Sequence, residues 1–111
     1  MEDCIFCSIA NKTANADILF EDDLVIVIRD IMPKAPVHFL VLSKEHITSV
    51  NELQPAHSEL ITRVVLTAKT QAAAQGVAES GYKLVWNVGK DGGQIVPHLH
   101  LHVLGGKALG E

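Results

Sequence analysis

The sequence predicts an α+β protein: an antiparallel sheet of five strands carrying one long helix, with a short helix at the N-terminus. Three observations predict it. β-Branched and aromatic residues gather in five short segments bounded by glycine, proline or acidic turn residues. Only one stretch keeps a helical period over several turns. The connections are hairpin-like and the helix interrupts them once, which argues against repeated βαβ winding. At 111 residues, 48% hydrophobic and 20% charged, the chain has the size and apolar content of one domain, 1–111, able to bury a core.

From Asp3 to Lys12, Ile5, Phe6 and Ile9 recur at near-helical spacing, with Asp3 as the expected N-cap. Ile18–Phe20 and Leu24–Arg29 flank the acidic turn Glu21-Asp22-Asp23 and predict a hairpin, with Asp30 at its end. IMPKAP holds two prolines and is a loop, after which Val37–Ser43 forms a third strand with His38 at its start. Pro55 opens the long helix, and Leu60, Val64, Thr67, Ala68 and Gln71 continue its inner stripe to about Gln75. Gly76 and Gly81 bracket its exit. Tyr82–Val88 is the fourth strand, with Asn87 near its end, and the loop GKDGGQ leads into the fifth, Pro97–Gly106.

That last strand reads PHLHLHVLGG. Successive side chains of a strand point to opposite faces, so His98, His100 and His102 share one face while Leu99, Leu101 and Val103 share the other. At about 3.3 Å per residue, adjacent histidines lie roughly 6.6 Å apart and the outer two about 13 Å apart, too far for all three to hold one atom. The triad is therefore expected to split its work. An HxH metal site would want a nearby carboxylate. Phosphoryl chemistry would use one neutral imidazole as nucleophile and another as donor to phosphate oxygens. The preceding loop favours the second reading, because Gly92 and Gly93 permit close backbone approach and the N–H groups of Gly93, Gln94 and Ile95 can converge on an anion.

The bulk properties narrow the partners. A net charge of -4 without any run of lysine or arginine argues against a nucleic-acid polymer, but leaves a mononucleotide open. No apolar run approaches the ~20 residues of a membrane span, and MEDCIFC shows no charged leader, so the expected address is the cytoplasm, away from membranes. There the pair Cys4 and Cys7 is not expected to form a structural disulfide. A redox pair would want a thioredoxin-like βαβ setting, which is missing; zinc would need two more ligands, for which His46 and His98 are the candidates; or the thiols simply pack the short helix. His57, on the polar start of the long helix, is assigned no role.

With these residues in place, the chain resembles the histidine triad (HIT) family, and within it the Hint branch. The resemblance runs from Cys4 to Gly106 and rests on HLHLHVLGG after GGQ, on FEDDLV from Phe20, on RDIMPKAPVHFLVLSKEHI from Arg29, and on the asparagine of LVWNVG. It implies an antiparallel sheet with the long helix packed on it, and a homodimer whose sheets join across the two-fold axis. It also implies binding of purine nucleotides and hydrolysis of phosphoramidates or phosphoanhydrides. By the same resemblance His100 is the nucleophile that becomes nucleotidylated, His102 the phosphate donor and His38 the partner that orients His100. Asp30 takes the ribose hydroxyls; Ile5, Phe6, Ile9, Ile28 and Ile31 form the base pocket; Asn87 and the backbone of Gly93, Gln94 and Ile95 lie on the phosphate side. Cys4, Cys7, His46 and His98 match the one structural zinc per chain of bacterial-type members. Two positions depart from the pattern: Ile95 replaces a small polar residue after GGQ, and Pro97 replaces an aromatic before the first triad histidine.

The expected function is hydrolysis of purine nucleoside phosphoramidates through a nucleotidyl-histidine, with no catalytic metal required. The alternatives are a dinucleoside polyphosphate hydrolase and a nucleotide-binding regulatory or scaffold protein with little turnover.

Overall fold

A computed structural model describes residues 4–111. Its elements run α1 (Ile5–Ala10), β1 (Ile18–Glu21), β2 (Val25–Arg29), β3 (Val37–Ser43), α2 (Ser58–Ala74), β4 (Tyr82–Val85) and β5 (His100–Gly105). The strands form one sheet in the order β1-β2-β3-β5-β4, with every neighbouring pair antiparallel. This is the expected α+β architecture.

Period-two alternation in the inner strands divides the core between the two sheet faces. Val25, Val27, Phe39, Val41, Leu101 and Val103 point to one face and pack against Leu60, Val64, Ala68 and Ala72 of α2. Ile26, Ile28, Leu40 and Leu42 point to the other, where Phe6 and Ile9 of α1 cover part of them. Leu101 is fully buried, so Leu101→Ala would cost about 2–5 kcal/mol through lost contacts and a residual cavity. The long helix occupies one face and the six-residue α1 lies on the other. On that second face His38, His98 and His100 are buried and His102 is half-buried.

Several boundaries differ from the sequence reading, among them the start of the fifth strand, at His100 and not Pro97. The expected N-cap Asp3 lies outside the described residues; α1 is capped by Cys4, whose Sγ accepts the Cys7 N–H at 3.1 Å. The long helix starts at Ser58, because Pro55–His57 forms a separate 3-10 turn with His57 Nδ1 accepting the Gln54 N–H at 2.9 Å. His57 therefore does have a local task. The fourth strand stops at Val85, paired with His102, since the chain then turns into a loop that Asn87 closes by donating from Nδ2 to the Gly92 carbonyl at 2.8 Å.

Candidate active site and metal cluster

The triad does not lie on one continuous strand, and the reason explains how its members part. Pairing of β3 with β5 ends at Leu42 opposite His100. Upstream, the His98 N–H donates to the Val96 carbonyl at 2.8 Å, a tight turn just before the strand, and the Leu99 N–H leaves β3 for the Ile47 carbonyl at 2.6 Å. That exchange of partner carries His98 to the loop after β3. Its ring is fully buried there.

Around His98 the chain assembles four metal-capable donors. Nε2–H of His98 donates to the Ser43 carbonyl at 2.6 Å, which leaves the Nδ1 lone pair facing Cys4 Sγ at 3.2 Å and Cys7 Sγ at 3.4 Å. His46 Nδ1 lies 3.1 Å from Cys7 Sγ. Its Nε2 is buried without a hydrogen-bond partner among the described residues. A tetrahedral ion with bonds of about 2.3 Å to sulfur and 2.0 Å to nitrogen needs S···N edges of about 3.5 Å. The four ligand atoms, all within 4.8 Å of one another, need only a slight expansion to hold one. Burial and the neighbouring Cys4 push the Cys7 thiol up to about 11, so Cys7 stays neutral until a cation is present to stabilise its thiolate.

The other two triad histidines stay on β5, their ring centroids 5.0 Å apart. Their tautomers follow from their fixed partners. His100 Nδ1 is 2.6 Å from the His98 carbonyl, which can only accept, so Nδ1 carries the proton and Nε2 keeps its lone pair. His38 Nδ1 accepts the Lys34 N–H at 3.1 Å, so the His38 proton is on Nε2, directed at His102 Nδ1 at 3.0 Å and Asp30 Oδ2 at 3.3 Å. His102 then carries its proton on Nε2. A bare lone pair on His100 thus stands beside an N–H donor on His102. Burial lowers the pKa of His38, His100 and His102, with His102 pushed down to about 4, so all three rings are neutral near pH 7.

This geometry corrects two expectations. His38 orients His102 and not His100, because the β3–β5 register sets Leu42 opposite His100 and Leu40 opposite His102, and places His38 opposite Leu104, one same-face step beyond His102 and two beyond His100. Nor do three loop N–H groups converge on an anion. The loop closes on itself, with Gly93 N–H donating to the Lys90 carbonyl at 3.1 Å and Gln94 N–H to the Gly89 carbonyl at 3.0 Å. Of the three, Ile95 alone keeps a backbone N–H without a backbone acceptor among the described residues. The glycine pair is needed for that closure, since a Cβ at Gly92 would collide with the Val88 backbone and Gly93 sits at φ +81°.

Of the residues expected to form the base pocket, Phe6, Ile9 and Ile28 are buried floor, whereas Ile31 is 92% exposed and Ile5 49%. Phe6 meets His100 edge-on with centroids 5.0 Å apart. Asp30 accepts the Met32 N–H at 2.8 Å through Oδ1. No sequence pattern pointed to the Ser43 carbonyl or to the Gln94 side chain. That amide donates to the Thr48 and Val96 carbonyls at 2.7 and 3.0 Å and accepts the Gly89 N–H at 2.9 Å, clasping three segments.

A buried imidazole with a free lone pair, a neighbouring imidazole N–H and a loop N–H without a backbone acceptor among the described residues form an arrangement suited to phosphoryl transfer. The comparisons with known proteins agree. Residues 3–110 match the family model described as scavenger mRNA decapping enzyme C-terminal binding. The chain is 40% identical over 109 residues to the purine nucleoside phosphoramidase of Escherichia coli, covering 98% of this chain and 92% of that protein. A HIT family hydrolase from Legionella pneumophila superposes with a TM-score of 0.94 at 44% identity, covering 96% and 95% of the two chains. A zinc-bound histidine triad family protein from Mycobacterium smegmatis gives a TM-score of 0.81 at 29% identity, over 96% of this chain and 76% of its own. The chain belongs to the histidine triad family and is a nucleotide hydrolase of that type.

Proposed function

We propose that the protein hydrolyses purine nucleoside phosphoramidates in two steps through a nucleotidyl-His100. The observation that carries the reading is the pair of tautomers: a lone pair on His100 Nε2 fixed by the His98 carbonyl, beside a proton on His102 Nε2 fixed by His38. His100 Nε2 attacks the α-phosphorus and the P–N bond of the substrate breaks. Water then attacks the His100 adduct and nucleoside monophosphate leaves. Over the cycle, the oxygen of water ends on phosphorus and its protons end on the amine and the phosphate. His102 Nε2–H and the Ile95 N–H stabilise the phosphoryl oxygens, with Asn87 and the Gly93–Gln94 turn shaping that side. Asp30 receives the ribose hydroxyls, and Ile5 and Ile31 flank the purine above a floor of Phe6, Ile9 and Ile28. No step requires a catalytic metal.

Cys4, Cys7, His46 and His98 hold one structural zinc in this reading, supported by the two-sulfur, two-nitrogen donor set. Zinc there ties α1 to the run-in of β5. Two free thiols suit a reducing, cytoplasmic compartment; among the described residues, no helix is long and apolar enough to cross a membrane. The working unit is a homodimer joined through a sheet edge. Sedimentation at micromolar concentration should give twice the chain mass of 12.0 kDa, and a monomer at all concentrations would refute it.

The decisive experiment is His100→Ala assayed on adenosine phosphoramidate, with intact mass recorded after rapid quenching of the wild type. The wild type should carry a transient nucleotidyl adduct. The variant should lose turnover by about 10⁴-fold or more while retaining nucleotide affinity. Near-normal turnover in the variant would overturn the assignment.

A further inference from the structure

Beside His102 the sheet opens onto a cavity of about 390 Å³ whose walls come from β3, β4, β5, the β4–β5 loop and the C-terminal segment. Two features of the lining stand out. Val85, Leu104 and Leu109 give it an apolar floor, and Ile95, 91% exposed, overhangs it from the loop. The ionised side chains in the lining are both basic, Lys34 and Lys83, while the His38 and His102 rings beside them are neutral. Lys83 is held in the wall by donating from Nζ to the Gly110 carbonyl at 2.8 Å. Asp30 approaches His38 from outside the lining, which among the described residues contains no acidic side chain.

The position of the cavity relative to the histidines says what enters it. His102 and Ile95, the two donors placed on the phosphoryl oxygens, line it, whereas His100 does not. In a displacement at phosphorus the nucleophile and the leaving group lie roughly in line on opposite sides. A group leaving opposite His100 therefore moves into this space. A wide apolar floor favours an amine with an apolar substituent, and a rim of fixed positive charge without a counter-ion disfavours one carrying a second cation.

We propose that this cavity is the leaving-amine subsite, and that Ile95 and Lys83 make it select amines with an uncharged apolar chain over amines of equal length that end in a positive charge. The proposal rests on the phosphoramidate hydrolysis set out above. Three adenosine phosphoramidates test it: the unsubstituted compound, the N-pentyl compound and the N-(5-aminopentyl) compound, whose terminal amine is protonated at neutral pH. The two chains match in length and nearly in leaving-group basicity, so their ratio of kcat/KM isolates the subsite.

The wild type should favour the pentyl over the aminopentyl substrate by about tenfold or more. Ile95→Ser should lower the pentyl-to-unsubstituted ratio by about fivefold, and Lys83→Met should narrow the pentyl-to-aminopentyl ratio by a similar factor. Ratios within one variant are insensitive to a general loss of folded enzyme. Turnover of all three substrates at one efficiency, or ratios that neither variant moves, would overturn the subsite alone. Turnover of none would overturn the hydrolytic reading and the subsite with it.

Discussion

Gln94 makes the most specific demand on this structure, because its side chain touches no catalytic group yet its three hydrogen bonds hold the loop that presents the Ile95 N–H. Gln94→Ala removes all three. At about 0.5–1.5 kcal/mol each, and toward the low end because two of them lie at exposed sites, the loss should be about 2 kcal/mol. Unfolding entropy of about 2.1 cal/mol/K per residue over 111 residues gives roughly 0.23 kcal/mol/K, so Tm should fall by about 9 °C. Freed of its clasp, the loop no longer fixes the Ile95 N–H, and kcat should drop by about 10- to 100-fold, the upper bound being loss of one oxyanion donor. Gln94→Glu keeps an acceptor for the Gly89 N–H but turns a carboxylate toward two carbonyls, and should be no better than alanine. Calorimetry and steady-state turnover decide the matter: a Gln94→Ala variant melting within about 2 °C of the wild type at full kcat would refute the clasp.

Burial lowers the pKa of His38, His100 and His102 in the folded state, so below the ordinary histidine value of about 6.5 the unfolded chain takes up protons that the native one refuses. Stability should therefore be full above pH 6.5, decline as the pH falls toward about 4, and His102→Asn should flatten that decline; for the half-buried His102 the contribution is about 1–2 kcal/mol after solvent screening. Urea midpoints that hold steady or rise between pH 6.5 and 4.5 would contradict it. Protein purified without added metal should carry about one zinc per chain. Chelation or Cys4→Ser should lower Tm by an amount equivalent to several kcal/mol, leaving measurable turnover in the folded fraction; a metal-free protein with unchanged Tm would refute a structural ion.

What the sequence could reveal depended on whether each feature was local. The α2 stripe was legible because Leu60, Val64, Thr67 and Ala68 repeat within one helix, and they are buried as a set. Strands β2 and β3 were legible because both of their faces are covered, so Val25–Ile28 and Phe39–Leu42 read as unbroken apolar runs. The side-chain cluster of Cys4, Cys7, His46 and His98 was approached through residue chemistry and spacing, and the fold brings those four together. Backbone partners were not legible. Nothing in GKDGGQI says that two of its N–H groups close the loop, or that His98 leaves the strand because the Leu99 N–H prefers the Ile47 carbonyl. The partner of His38 is a matter of register between strands far apart in the chain, which no local pattern encodes.

His98 shows why the three histidines divide their work although they alternate in a single run. Its imidazole faces two thiols, while its carbonyl accepts the proton of the His100 ring at 2.6 Å. One residue thus joins the metal-capable cluster to the His100 ring through different atoms. A regular strand could not do this, because a ladder carbonyl pairs with the neighbouring strand or faces away from its own side chains. The turn at Val96–His98 frees that carbonyl, and the departure of Leu99 toward Ile47 swings the His98 ring under α1. Phe6 then packs edge-on against both rings, with centroids 5.9 Å from His98 and 5.0 Å from His100. The irregular start of β5 is therefore what separates His98 from His100 and His102, and it holds His100 in the tautomer that the proposed nucleophilic role requires.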